Sequence, residues 1–163
     1  MIVVTNTSPL LNLACIGHQD ILESLFDVVQ VPPAVSFEIQ RLSASNPRFA
    51  GVQLPRFARV KSLQNTTLAT ALGLDLDPGE AEAIALAVEL HADLLLIDEH
   101  RGRIVAKRLG LPCLGLLGAL TLAKRRGVVP AVAPLLQRLA TEADFWIAPA
   151  LRQHILADAG ELF

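Results

Sequence analysis

The sequence predicts an α/β domain built on a central parallel sheet with helices on both faces. Three observations carry this. Short apolar runs alternate with stretches of helical period along the chain. The run Leu94-Leu95-Leu96-Ile97 is apolar throughout, as a strand covered on both sides must be. Apolar residues make up 52% of the 163, enough for a generous core in one domain of that length.

Ile2-Val3-Val4 is a β-branched run that predicts the first, central strand. It stops at Thr5-Asn6-Thr7-Ser8-Pro9, where Ser8 is a plausible N-cap and Pro9 the first helical residue. A helix over Ile21 to Phe26 leads into a strand over residues 27–31, closed by Pro32-Pro33. Ala34 to Leu42 predicts a helix carrying Glu38. Residues 43–57 read as a surface loop with Arg48 and Arg56. Val60 to Leu63 follows as an edge strand, and Thr66 to Leu72 as a helix ended by Gly73.

Asp77-Pro78-Gly79-Glu80 opens the next helix, with Asp77 as N-cap and Pro78 at the first position. Ala81, Ile84, Ala85 and Val88 recur at helical spacing to an end near His91. The apolar strand closes at Asp98. A helix stopped by Gly110, a last strand over residues 111–115 and a helix over residues 117–126 follow. A further helix is expected over residues 130–140, with Pro134 as an alternative start. Pro149 to Phe163 is apolar enough to dock as a tail on the single domain, residues 1–163.

Several functions are excluded. No apolar run reaches the roughly 20 residues of a membrane helix, and no secretion signal opens the chain, so a cytoplasmic location without membrane contact is the default expectation. There is no phosphate-binding glycine loop, no nucleophile elbow and no zinc-ligand spacing among His18, His91, His100 and His154. Cys15 and Cys113 read as buried free thiols. The net charge of −2 supplies no global attraction for nucleic acid. Local basic stretches exist around Arg101, Arg103, Lys107 and Arg108, and at Lys124-Arg125-Arg126.

What remains is oxygen chemistry at strand ends. Ligands bind outside the carboxyl ends of parallel strands, where Asp98 and Asn6 both fall. Carboxylate and amide oxygens suit Mg²⁺ or Mn²⁺. Each candidate also has a plainer role. Asn6 and Ser8 can serve the local turn, and Glu38 can be a solvated helix residue. Glu80 stands three residues after Asp77, the spacing of a capping box. Glu80 and Glu82 are two apart and do not share a helix face, so either can turn toward the strand ends.

Val3-Val4-Thr5-Asn6-Thr7-Ser8-Pro9-Leu10, Val31-Pro32 with Glu38, Asp77-Pro78-Gly79-Glu80-Ala81-Glu82-Ala83-Ile84, and Leu96-Ile97-Asp98-Glu99 with Gly102-Arg103 together resemble a PIN domain. Pro78-Gly79-Glu80-Ala81-Glu82-Ala83-Ile84 narrows the resemblance to the VapC-like branch, which Leu111-Pro112, Gly115, Gly118, Lys124 to Gly127 and Phe145-Trp146-Ile147 also fit. It implies a three-layer α/β/α fold and a ribonuclease dependent on Mg²⁺ or Mn²⁺. The four acidic positions of the family fall on Asn6, Glu38, Glu80 and Asp98, and the 18-residue step from Glu80 to Asp98 favours Glu80 over Glu82. Asn6, Glu80 and Asp98 are the implied metal ligands. Ser8 matches a hydroxyl beside the first ligand, and Arg101 and Arg103 are placed to hold RNA phosphates. Many relatives are toxins paired with a small antitoxin, and many are homodimers. The departure is Asn6, where the family usually has Asp. An amide oxygen still binds a hard cation but brings no charge. Two rivals follow: a catalytically weakened or inactive module of the same fold that binds RNA or a protein, and a phospho-receiver-like domain with Asp98 as acceptor.

Overall fold

Among the described residues five parallel strands form the sheet: β1 (Val3–Thr5), β2 (Val29–Val31), β3 (Ala58–Val60), β4 (Leu94–Leu96) and β5 (Cys113–Leu114). Their spatial order is β3-β2-β1-β4-β5. The computed structural model describes residues 1–162; Phe163, the last residue of the expected tail, lies outside the described residues. Between and after the strands lie α1 (Thr7–Cys15), α2 (Asp20–Phe26), α3 (Pro33–Ser45), α4 (Thr67–Leu72), α5 (Pro78–Glu89), α6 (His100–Arg108), α7 (Leu116–Arg125), α8 (Ala133–Glu142) and α9 (Pro149–Asp158).

The alternation of side chains across a strand explains the apolar runs. Val3, Leu96, Val29 and Val31 face one core with residues of α1, α2, α3, α7 and α8. Val4, Leu95 and Ile97 face the other with α5 and Ala106 of α6. The fold is thus three layers, α/β/α, with both sheet faces buried. Register is fixed by Val4↔Gln30 on one side of β1 and by Val3↔Leu94, Val4↔Leu95 and Thr5↔Leu96 on the other.

The strand order reverses at β1. The chain runs outward from β1 to β2 and β3, then returns to pair β4 on the opposite side of β1. The crevice between the carboxyl ends of β1 and β4 is therefore the topological switch point, where open α/β sheets place their ligands. Asn6 leaves β1 there and Asp98 follows β4.

Several elements differ from the sequence reading. The first helix is capped at Asn6, not Ser8, and the Asn6 side chain makes no capping bond. Pro9 still fits because first-turn residues have no intrahelical partner for their N–H groups. The β2 strand begins at Val29, since Asp27 takes a left-handed turn with φ 65° at the end of α2. The α3 helix runs on to Ser45, and Pro47–Phe49 adds a 3₁₀ turn to the expected loop. The edge strand lies earlier, at Ala58–Val60, where Ala58 and Arg59 find partners in Val29 and Gln30. The α8 helix starts at Ala133, next to Pro134. His91 stands just past α5 with φ 50°, making the turn that more often falls to Gly or Asn. Cys15 and Cys113 are free but half-buried rather than buried, each packed against the margin of a core.

The C-terminal segment is held by one carboxylate. Ile155 of α9 joins the core, and the Glu161 side chain is 9% exposed. It accepts hydrogen bonds from the backbone N–H of Val132 at 2.7 Å and of Ala133 at 3.0 Å, at the start of α8. Lys124 Nζ lies 2.9 Å away and also donates to the Ala159 carbonyl at 2.6 Å. Despite the desolvation that burial imposes, these donors hold the Glu161 carboxyl below the usual range. Glu161→Ala strands two backbone donors and is expected to lower stability by about 2 kcal/mol, read as a lower urea midpoint at neutral pH.

Candidate active site

The candidate site is built from helix starts. In a parallel α/β sheet the helix that leaves a strand begins at the strand's carboxyl end, so α1, α3, α6 and α7 all start on this edge. The crossover from β3 to β4 brings the start of α5 there as well. Each start carries a partial positive charge that favours nearby carboxylates.

Asn6 is anchored by its backbone. Its N–H donates to the Leu96 carbonyl at 3.0 Å, extending the β1–β4 pairing one residue past the strand. The residue is 3% exposed, and Oδ1 has no hydrogen-bond partner among the described residues. Glu38, half-buried on α3, accepts at Oε2 a hydrogen bond of 2.7 Å from the Thr7 hydroxyl. Thr7 is buried on the first turn of α1. The first strand's exit thus supplies both the amide oxygen and the clamp on Glu38. Ser8 is half-buried one residue further along the same turn.

Gly79 is where α5 meets this pair. A Cβ there would stand 2.7 Å from Glu38 Oε2, 3.3 Å from Asn6 Oδ1 and 3.5 Å from Asp77 Oδ1. A side chain there would oblige the Glu38 carboxylate to move and crowd Asn6 Oδ1. The next residue, Glu80, is buried. Its N–H donates to Asp77 Oδ1 at 2.8 Å, and its Oε2 accepts the Asp77 N–H at 3.4 Å, a long bond. The capping box is therefore present. Glu80 also packs beside Gly102 of α6, where a Cβ would come within 3.8 Å of its carboxyl carbon. Glu82 takes a different job: its Oε1 accepts the Ala34 N–H at 3.3 Å, at the start of α3.

Asp98 accepts the Leu116 N–H at Oδ1 over 2.7 Å, while its Oδ2 is buried without a partner. Gly115 makes space for it: a Cβ there would meet Asp98 Oδ1 and Arg103 Nη1, each at 3.1 Å. Arg103 is half-buried against this group; Arg101 is exposed on the first turn of α6. Burial pushes the Asp98 carboxyl above its usual range, while the Leu116 amide and Arg103 pull against that. Glu80 is pushed up to about 7, first by burial, then by the charge of Asp77, and further by Glu99 and Glu38.

Thus Asn6 and Glu38 are joined through Thr7 and Gly79, and Glu80 and Asp98 stand against α6. Sequence reasoning quoted Thr7, Gly79, Gly102 and Gly115 for the resemblance and gave them no place in the site, although the run Pro78-Gly79-Glu80 put Gly79 beside a candidate ligand. Among the described residues no three His, Cys, Asp or Glu side chains converge to hold an ion by themselves. The donor set nevertheless fits a hard cation. Asn6 adds a neutral oxygen, and two buried oxygens, Asn6 Oδ1 and Asp98 Oδ2, lack a donor among the described residues. Buried polar atoms are seldom left so.

A parallel α/β sheet with buried carboxylate and amide oxygens at its switch point defines a class suited to cations and phosphate groups. A family model described as DUF3368, PIN domain, matches residues 2–161, and the chain belongs to this PIN-domain family. PIN domains are generally nucleases, so the fold is a nuclease-type fold, and nucleic acid is the substrate class it suggests. No curated protein and no solved structure gives a significant match to the chain. Among the described residues no helix is long and apolar enough to cross a membrane.

The raised Glu80 value makes a stability prediction. Its folded value, about 7, lies above the ordinary 4.5, so the folded state keeps a proton that the unfolded chain releases. Stability from this group is full below the unfolded value and declines as pH rises from about 4.5 to 7. In EDTA above pH 7, Glu80→Gln is expected to be more stable than the parent by about 2 kcal/mol. That corresponds to a melting temperature higher by roughly 5 °C. Below about pH 5 the two proteins melt together.

Proposed function

We propose that the chain is a metal-dependent endoribonuclease of the VapC-like branch and acts as the toxin of a toxin–antitoxin pair. The observation that supports the metal part is the pair of buried, unpartnered oxygens of Asn6 and Asp98 at the switch point. Mg²⁺ or Mn²⁺ held by Asn6, Glu80 and Asp98 would activate water and offset charge gathering on the phosphate. Glu38 receives the proton of the attacking water; the Thr7 hydroxyl occupies one of its oxygens and sets the direction of the other. Ser8 orients water or phosphate from the α1 turn, and Arg101 and Arg103 hold the RNA backbone. The water oxygen bonds to phosphorus as the bond to the 3′ oxygen breaks. The products are a 5′-phosphate and a 3′-hydroxyl, whose proton comes from solvent.

The antitoxin partner and a homodimer belong to the same reading, through the resemblance carried by residues 78–84 and by Phe145-Trp146-Ile147. A second reading has one observation in its favour. Asn6 is neutral, so the site holds one charge fewer than an Asp would give, and a weakened module that binds RNA or a protein is its consequence.

The test is incubation of the pure protein with an RNA containing helical and unpaired segments, in Mg²⁺, in Mn²⁺ and in EDTA. Cutting is expected with either ion and not in EDTA, with Asp98→Asn slower by roughly 100-fold or more. Cutting that persists in EDTA or in Asp98→Asn would remove the proposed centre. Asn6→Asp is expected to bind Mn²⁺ roughly tenfold more tightly in calorimetry. Activity confined to that variant favours the weakened module.

A further inference from the structure

Glu82 is the acidic residue of the Asp77–Ile84 stretch that the proposed metal centre leaves unused. Its contact is with the start of α3. Pro32 holds the N-cap position there and Pro33 follows it. Proline has no N–H, so the first backbone donor of the helix is Ala34. The first turn of α3 has no acidic residue, and among the described residues no side chain of α3 caps it. Glu82 Oε1 supplies the acceptor from α5, 3.3 Å from the Ala34 nitrogen and 48 residues away along the chain. A carboxylate also suits the positive end of a helix.

The two helices bury in separate cores. Val35 and Ile39 of α3 lie on one face of the sheet, and Ala83, Ile84 and Leu86 of α5 on the other. They meet over the carboxyl edge of the strands, each first turn against the other's second. Gly79, in the first turn of α5, lies against Glu38, in the second turn of α3. Ala34, in the first turn of α3, is bonded to Glu82, in the second turn of α5. Pro33, Pro78 and Glu82 line two cavities of about 410 Å³ each at this crossing. Apolar packing therefore does little to hold the start of α3 there, and the polar contact matters more.

We propose that Glu82 is a positioning residue. By holding the start of α3 against α5, it fixes where Glu38, one turn further along, stands relative to Asn6, Thr7 and Gly79. This rests on the nuclease reading above and deepens it, since Glu38 is the group that receives the proton there. Glu80 and Glu82, two apart on α5, face different ways. One packs beside Gly102 of α6, and the other reaches α3. A helix whose start can shift carries its second turn with it. A displacement of about 1 Å is enough to slow a step that depends on geometry by roughly 100-fold.

The test is energetic coupling, read first without catalysis. Substitutions at distant, independent sites add. Thr7→Val removes the hydroxyl that Glu38 accepts from, at nearly constant volume. In EDTA it is expected to lower the urea midpoint of the parent, and to lower that of Glu82→Ala by roughly half as much or less. Glu82→Gln keeps an oxygen acceptor and is expected to keep the full effect of Thr7→Val. Equal effects of Thr7→Val in the parent and in Glu82→Ala would overturn the proposal. So would Glu82→Gln behaving like Glu82→Ala, which assigns the effect to charge. With Mn²⁺ and RNA, Glu82→Ala is expected to lower kcat roughly tenfold or more, with KM within about twofold. In a Glu38→Gln background the same change is expected to add little. Mn²⁺ affinity by calorimetry stays at the parent's value; a loss as large as that of Asp98→Asn would make Glu82 a ligand and defeat the positioning role. If the parent fails to cut RNA while the urea coupling stands, the nuclease reading fails alone. Cutting by the parent with additive midpoints defeats the role of Glu82 alone.

Discussion

The pairing of β1 with β4 is the constraint on which the rest of the structure depends. Thr5 is in register with Leu96, and the Asn6 N–H closes on the Leu96 carbonyl. Strands that are neighbours in space but far apart in sequence meet here. The return from β3 must cross the sheet, and the crevice between the two exits is its consequence. Backbone hydrogen bonds place Asn6 and Asp98 at the exits of neighbouring strands, before any side-chain chemistry is considered.

Around that crevice the fold gathers acidic groups that repel one another and are costly to bury. Glu80 and Asp98 both titrate above their ordinary range for this reason. The compensations are local. A hydroxyl from Thr7 serves Glu38, an amide from Leu116 serves Asp98, and the capping box engages Glu80. Glycines at 79, 102 and 115 let helix backbone approach where a methyl group would displace the ends of Glu38 or Ile97 or crowd Asp98. Such an arrangement lowers stability in favour of a prepared site, a pattern common where chemistry is done. The C-terminal end shows the opposite balance: Glu161 is also buried, but it has three donors and anchors the segment instead of straining it.

Much of the architecture was legible because local and global preferences agree. The apolar strand before Asp98, the capping residues Asp77 and Pro78, and the stop at Gly73 are each decided by neighbours within a few residues. Where the reading slipped, a long-range partner had overruled a local preference. Asn and Ser cap helices about equally well, and Pro9 makes Ser8 the better local start, yet the helix begins after Asn6, whose N–H is held by the Leu96 carbonyl at the sheet edge. The edge strand shifted toward Ala58 because β2 offers hydrogen bonds there.

The sequence by itself determined the order and type of the elements, since hydrophobic period and capping chemistry act over a few residues. Through its resemblance to PIN domains it also pointed to Asn6, Glu38, Glu80 and Asp98 as a set. Tertiary structure alone decided what surrounds them. That Thr7 clamps Glu38 across 31 residues of chain, that Glu82 turns to the start of α3, and that Asn6 Oδ1 and Asp98 Oδ2 are left without donors follow from the packing of helix starts against the sheet edge. Contacts of that range carry no periodic signal, because any polar residue at the right end of the right strand would read the same in the chain.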